Sequence, residues 1–266
     1  VPPGNRYLSR SRSTAKQPIE DLFSQVMGRF ADTRKHNPER LKDADWLQKN
    51  HAFTGEVFLG HLRYGTYGRN TIERVHPFLR QNNWRSRTLA LAGNFNLTNV
   101  DELFDILVDL GQHPKEKADT VTVLEKVGHF LDEEVEKAFR QFKNAGHENA
   151  EISGLIADQL DVANVLRRAS INWDGGYVMG GIIGSGDAFI ARDPNGIRPC
   201  FWYEDEEVIV AASERPVIQT AFNAVTTNVK ELQPGEALII NRNGESQIAE
   251  VREPGERTPC LSLIHI

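Results

Sequence analysis

Past residue 175 the chain alternates short apolar runs with turn-forming residues. This pattern constrains the fold more than any other feature. Runs at 176–183, 188–192, 200–203, 208–212, 229–232, 237–241 and 248–251 read as strands. Between the earlier runs lie Gly184-Ser185-Gly186-Asp187, Asp193-Pro194-Asn195-Gly196 and Glu204-Asp205, which are turn sequences. A parallel pair needs a crossover of about a dozen residues or more, usually a helix. Most of these gaps are too short for one. The sheet is therefore expected to be antiparallel, and a doubly wound parallel fold is disfavoured. A short helix is expected from Ser213 as cap to Phe222, with Pro216 in the first turn, where its missing N–H costs nothing.

Helical periodicity fills the middle of the chain. Val100, Leu103, Phe104, Leu107 and Leu110 repeat at three and four residues, with Thr98 or Asn99 as cap and Gly111 as stop. A longer pattern from Thr120 to about Phe142 puts Leu124, Val127, Leu131, Val135 and Phe139 on one face. A third spans 155–169. Upstream, Ile19, Leu22, Phe23, Val26 and Phe30 suit an amphipathic helix, a short helix is expected within 38–47, and strands are expected at 56–63 and 87–92. Strands, then helices, then a meander make an α+β layout.

Composition narrows the function. With a net charge of -6 and no basic run, the surface does not suit nucleic acid. No apolar stretch approaches the roughly 18 residues of a membrane helix, and no signal peptide is visible. Two cysteines, Cys200 and Cys260, form neither a disulfide framework nor a zinc spacing, so a cytoplasmic setting is expected.

The polar chemistry concentrates between residues 60 and 99, GHLRYGTYGRNTIERVHPFLRQNNWRSRTLALAGNFNLTN. The runs Val57-Phe58-Leu59 and Leu89-Ala90-Leu91-Ala92 read as neighbouring strands that carry Arg63 and Asn94 to one sheet edge. Asp119 joins them. A guanidinium fork matches an α-carboxylate, and an Asp can take an α-ammonium. Asn94 with the Phe95 N–H can form an oxyanion hole. Blander readings stand beside these: a solvated or salt-bridged Arg63, turn chemistry for Asn94, and a helix N-cap for Asp119.

The ordered set GHLRYGTYG, HPF, GNFNLTN and ADT resembles the class II glutamine amidotransferases. GGYVMGGIIGSGDAFIARDPNGIRP, ASERPVI and ELQPGE are similar to the glutaminase half of the amidophosphoribosyltransferase branch of that family. The resemblance covers about residues 52–241. It implies a four-layer αββα sandwich of the N-terminal-nucleophile hydrolase type. It also implies that Arg63 holds the glutamine α-carboxylate and Asp119 the ammonium, that Tyr64 and Thr66 line the pocket, and that Asn94 and the Phe95 N–H form the oxyanion hole. The family usually has Asn-Gly where Asn94-Phe95 stands, and Ser or Pro where Gly65 stands.

The family's nucleophile is an N-terminal Cys, whose own α-amine is the base. Neither Cys200 nor Cys260 fits that place, so the first strands are expected upstream of Val1. Residues 1–257 are then an incomplete glutaminase domain, and 258–266 a tail foreign to it. The resemblance implies ammonia transfer to phosphoribosyl pyrophosphate in purine synthesis by a C-terminal phosphoribosyltransferase domain. That domain would hold Mg²⁺, and the glutaminase domain would hold no cofactor or metal. Glutamine is the expected ligand and a homo-oligomer the expected assembly, with no nucleic-acid or membrane partner. The glutaminase domain of an asparagine synthetase, or a non-catalytic glutamine-binding module, would carry much of the same pattern.

Overall fold

The computed structural model describes residues 7–63, 71–114 and 117–255. Tyr64, Thr66 and the 258–266 tail lie outside them.

Along the chain come helices α1 (Pro18–Gly28), α2 (Ala31–His36) and α3 (Ala44–Asn50), then strands β1 (Phe78–Arg80) and β2 (Leu89–Leu97). Four helices follow: α4 (Val100–Asp109), α5 (Asp119–Asn144), α6 (Asn149–Gln159) and α7 (Val162–Ala169). The meander is β3 (Gly175–Ile183), β4 (Ala188–Arg192), β5 (Phe201–Glu204) and β6 (Ile209–Ala212), then α8 (Arg215–Phe222), β7 (Lys230–Glu231), β8 (Glu236–Ile240) and β9 (Ser246–Glu250). All pairings are antiparallel. One sheet has the order β1-β2-β3-β4-β8-β9 and the other β6-β5-β7. The expected α+β architecture is thus present.

Strand alternation builds the layers. Leu89, Leu91 and Leu97 of β2, Tyr177 and Met179 of β3, and Phe189 and Ala191 of β4 all face one way. There they meet Val123, Leu124, Val127, Leu131 and Val135 of α5, with Ile152, Ile156, Val165 and Leu166 of α6 and α7. The opposite face supplies Val178 and Leu238, which pack on Cys200 and Trp202 of the second sheet. On that sheet's far side the Arg215 guanidinium of α8 stacks over the Phe201 ring, 4.8 Å from its centroid. The order of layers is therefore helix, sheet, sheet, helix.

The 193–196 turn is built around a carboxylate. Asp193 is fully buried and accepts from the backbone N–H of Asn195, Ile197, Arg198 and Tyr177 at 2.9–3.3 Å. Arg192 locks the same loop to β7 through the Gly196, Arg198 and Leu232 carbonyls and the Glu231 carboxylate.

Several local expectations are corrected. Residues 56–63 form no strand: β1 takes the ladder position beside Leu89–Leu91 of β2, and the run pairs with no strand among the described residues. Leu59 still packs against Gly180, while Phe58 and Leu62 are exposed. The 155–169 helix is two helices. At the break Asp161 leaves helical dihedrals and its carboxylate accepts from the Asn164 N–H at 2.9 Å, capping α7. Asn99 sits at the cap of α4, but its side chain bonds Asn172 and Asp174 instead of the helix. Glu214, not Ser213, stands at the cap of α8. The helix α1 forms as expected, yet Ile19 and Phe23 of its apolar face are exposed.

Candidate functional site

The site grows out of an unfinished ladder. The β1–β2 pairing runs Arg80↔Leu89, Leu79↔Ala90 and Phe78↔Leu91, then stops. Beyond Leu91, β2 continues to Leu97 with β3 on one side only, among the described residues. In an antiparallel strand, alternate residues direct their N–H and C=O groups to the same edge. The Thr88 carbonyl and Thr98 N–H bond toward β3 and the residue before it, so even-numbered positions face that way. Gly93, Phe95 and Leu97 therefore turn their backbone groups to the open edge. The Phe95 N–H lies on that edge, and the Asn94 side chain beside it is exposed. Phe95 keeps ordinary strand geometry: it is not among the residues with positive φ. A side chain at this position therefore costs no backbone strain. Asn94 itself is a strand residue paired with Val178, not a turn.

His76 takes over where the ladder ends. Its ring is 7% exposed, and Nδ1 accepts from the Gly93 N–H at 3.1 Å. A backbone N–H can only donate, so Nδ1 carries no proton and Nε2 carries it. Nε2–H then donates to Thr120 Oγ1, 3.2 Å away, in the first turn of α5. On one face the ring stacks on His61, with centroids 4.4 Å apart, and the Phe78 edge meets it at 5.2 Å. Burial, then the charges of His61 and Arg63, push the His76 pKa down to about 3. Burial also lowers that of His61, with Arg63 adding to the effect and the Gly93 backbone opposing it. Nδ1 of His61 is buried with no hydrogen-bond partner among the described residues.

Arg63 is thus close enough to affect both imidazoles, although it does not sit on a strand. It is exposed, and Nη1 donates to the Arg74 carbonyl. Asp119 is half-buried and is the first residue of α5. The cap position is Ala118, so Asp119 stands in the first turn of the helix, where a carboxylate also suits the helix N-terminus. The structure therefore gathers Arg63, the 93–95 edge and the start of α5 around His76. A cleft of about 320 Å³ at His36–Asp43, and one of about 460 Å³ lined by Arg87, His129, Glu133 and Arg140, include none of these residues.

Close packing at Gly93 shows how tightly the edge is drawn. A Cβ there would lie 2.6 Å from the Val178 carbonyl oxygen, 2.9 Å from Met179 Cα and 2.9 Å from Phe95 Cζ. Glycine is required because the β3 backbone, which cannot move aside as a side chain can, leaves no room for a Cβ.

Cys200 does not belong to this site. It is fully buried between the sheets, and burial pushes its thiol up to about 12, far from a reactive thiolate. Two features escaped the sequence reading. His61 carried no signal beyond an ordinary histidine near an apolar run. The HPF motif flagged His76, but its role depends on where β1 stops.

Residues 158–253 match the family of class II glutamine amidotransferases. The chain carries a domain of that class. It resembles amidophosphoribosyltransferases in particular. The Bacillus subtilis amidophosphoribosyltransferase is 32% identical over 197 residues, covering 71% of this chain and 33% of that protein. The Pasteurella multocida amidophosphoribosyltransferase is 28% identical over 270 residues, covering 94% and 49%. A solved structure of the glutamine phosphoribosylpyrophosphate amidotransferase from B. subtilis, complexed with ADP and GMP, superposes with a TM-score of 0.48 at 26% identity, covering 72% and 34%. The chain spans between about a third and a half of the length of these relatives.

Proposed function

We propose that this chain is a glutamine-binding, glutaminase-type domain of an amidophosphoribosyltransferase-like enzyme, working in the cytoplasm beside a phosphoribosyltransferase domain. The observation behind the reading is that Arg63, the first turn of α5 and the 93–95 edge of β2 converge on one buried imidazole. Arg63 supplies a fork for the α-carboxylate, and Asp119 supplies a negative group for the α-ammonium. Tyr64 and Thr66 line the same pocket in this reading. The Asn94 amide and the Phe95 N–H are adjacent donors for the oxygen of a tetrahedral intermediate. Such donors act mainly on charge that develops in the transition state. The nucleophile this chemistry needs is the family's N-terminal Cys; Cys200, buried and protonated, does not supply it. Mg²⁺ belongs with the phosphoribosyltransferase domain in this reading.

Calorimetric titration with L-glutamine tests the proposal. The parent chain is expected to bind, with D-glutamine binding at least tenfold more weakly. Arg63→Lys keeps the charge but loses the fork, and it should weaken binding by about one to several kcal/mol. Equal affinity of the Lys variant and the parent would make Arg63 structural.

A further inference from the structure

The ammonium-binding and oxyanion-binding ends of the proposed site stand on different elements. The Asn94 and Phe95 donors belong to β2, and Asp119 opens α5. Among the described residues, His76 is hydrogen-bonded to both elements at the positions beside those groups. It accepts from Gly93, one residue before Asn94, and donates to Thr120, one residue after Asp119. We propose that His76 is a positioning residue that sets the spacing between the β2 donors and the acid at the start of α5. This rests on the glutamine-binding reading given above.

The geometry suits the task. The imidazole is nearly sealed from solvent, held flat by His61 on one face and by the Phe78 edge. Its tautomer is set by the Gly93 N–H, so the two bonds have opposite polarity and cannot exchange roles. A rigid five-membered ring with one acceptor and one donor leaves little freedom in the strand-to-helix distance. The depressed basicity of His76 keeps the ring in the form that can accept from Gly93. Misplacement of a binding group by about an ångström can cost on the order of a hundredfold in rate, so such a strut has consequences for chemistry as well as affinity.

The predicted signature lies in selectivity. Thr120 neighbours the ammonium-binding acid, so loosening His76 should harm recognition of the α-ammonium more than of the rest of glutamine. The probe is the des-amino analogue glutaramate. Calorimetry with L-glutamine and glutaramate gives an affinity ratio that is insensitive to the fraction of folded protein. In His76→Ala and in Thr120→Val that ratio is expected to fall about tenfold, the loss of roughly one charge-assisted contact. In His76→Gln, whose amide offers an acceptor and a donor at similar separation, the ratio should stay within about threefold of the parent's. Should His76→Ala fail to fold, Thr120→Val decides alone. A parent that binds glutamine, with a ratio unchanged in the Ala and Val variants, overturns the positioning role and leaves the function intact. A parent that does not bind glutamine at all overturns both.

Discussion

His76 makes an acid-sensitive contribution to stability whose size follows from its surroundings. The ring is 7% exposed and its pKa is pushed down to about 3, against an ordinary value near 6.5. The unfolded chain therefore binds a proton to this residue before the folded chain does, and stability rises with pH across the interval. It is fully present above pH 6.5 and lost progressively as pH falls toward 3. At pH 5 the unfolded state has been protonated through about 1.5 pH units while the folded state remains neutral. At 1.36 kcal/mol per unit the loss is about 2 kcal/mol. This figure holds for any folded-state value below about 4. His61 shifts in the same direction, so a comparison with His76→Gln isolates the one ring. Urea unfolding of both proteins at pH 7.5 and 5.0 measures it. The parent should lose about 2 kcal/mol more than the Gln variant. Equal losses would mean that His76 is not held neutral and that its bond to Gly93 does not govern the ring.

Other perturbations probe the frame around the site. Gly93→Ala drives a Cβ into two backbone atoms of β3 and the Phe95 ring, and overpacking of this kind outweighs the gain from removing a glycine. A net loss of about 1–2 kcal/mol is expected by thermal or chemical unfolding. Asp193→Ala strips a carboxylate from four buried or half-buried N–H groups and should cost about 3–5 kcal/mol, with Asp193→Asn intermediate.

The fold was legible where local chemistry decides it. The turns at 184–187 and 193–196 set the meander of β3, β4 and β5, and the 3–4 spacing of Leu124, Val127, Leu131 and Val135 set the buried face of α5. Legibility failed where the outcome depends on a distant partner. Val57-Phe58-Leu59 has strand composition, but the place beside Leu89–Leu91 of β2 belongs to Phe78–Arg80, and nothing in either segment announces which one pairs there. The break at Leu160–Asp161 could have been read, since an Asp three residues before Asn164 is a cap signal. The assignment of Arg63, Asn94, Phe95 and Asp119 to glutamine rests on motif order. That Phe95 tolerates its position follows from ordinary strand φ, which the usual Asn-Gly wording obscures. The role of His76 depends on which N–H groups β1 leaves uncovered, a non-local fact.

The most direct test of the central claim is residue-resolved NMR of the chain titrated with L-glutamine. Binding at the open edge predicts saturable shifts of the Gly93, Asn94 and Phe95 amides together with those of Asp119 and Thr120, all following one dissociation constant. Unmoved amides at these five positions under saturating glutamine, or shifts confined to the cleft at His36–Asp43 or to the one lined by Arg87, His129, Glu133 and Arg140, would contradict it.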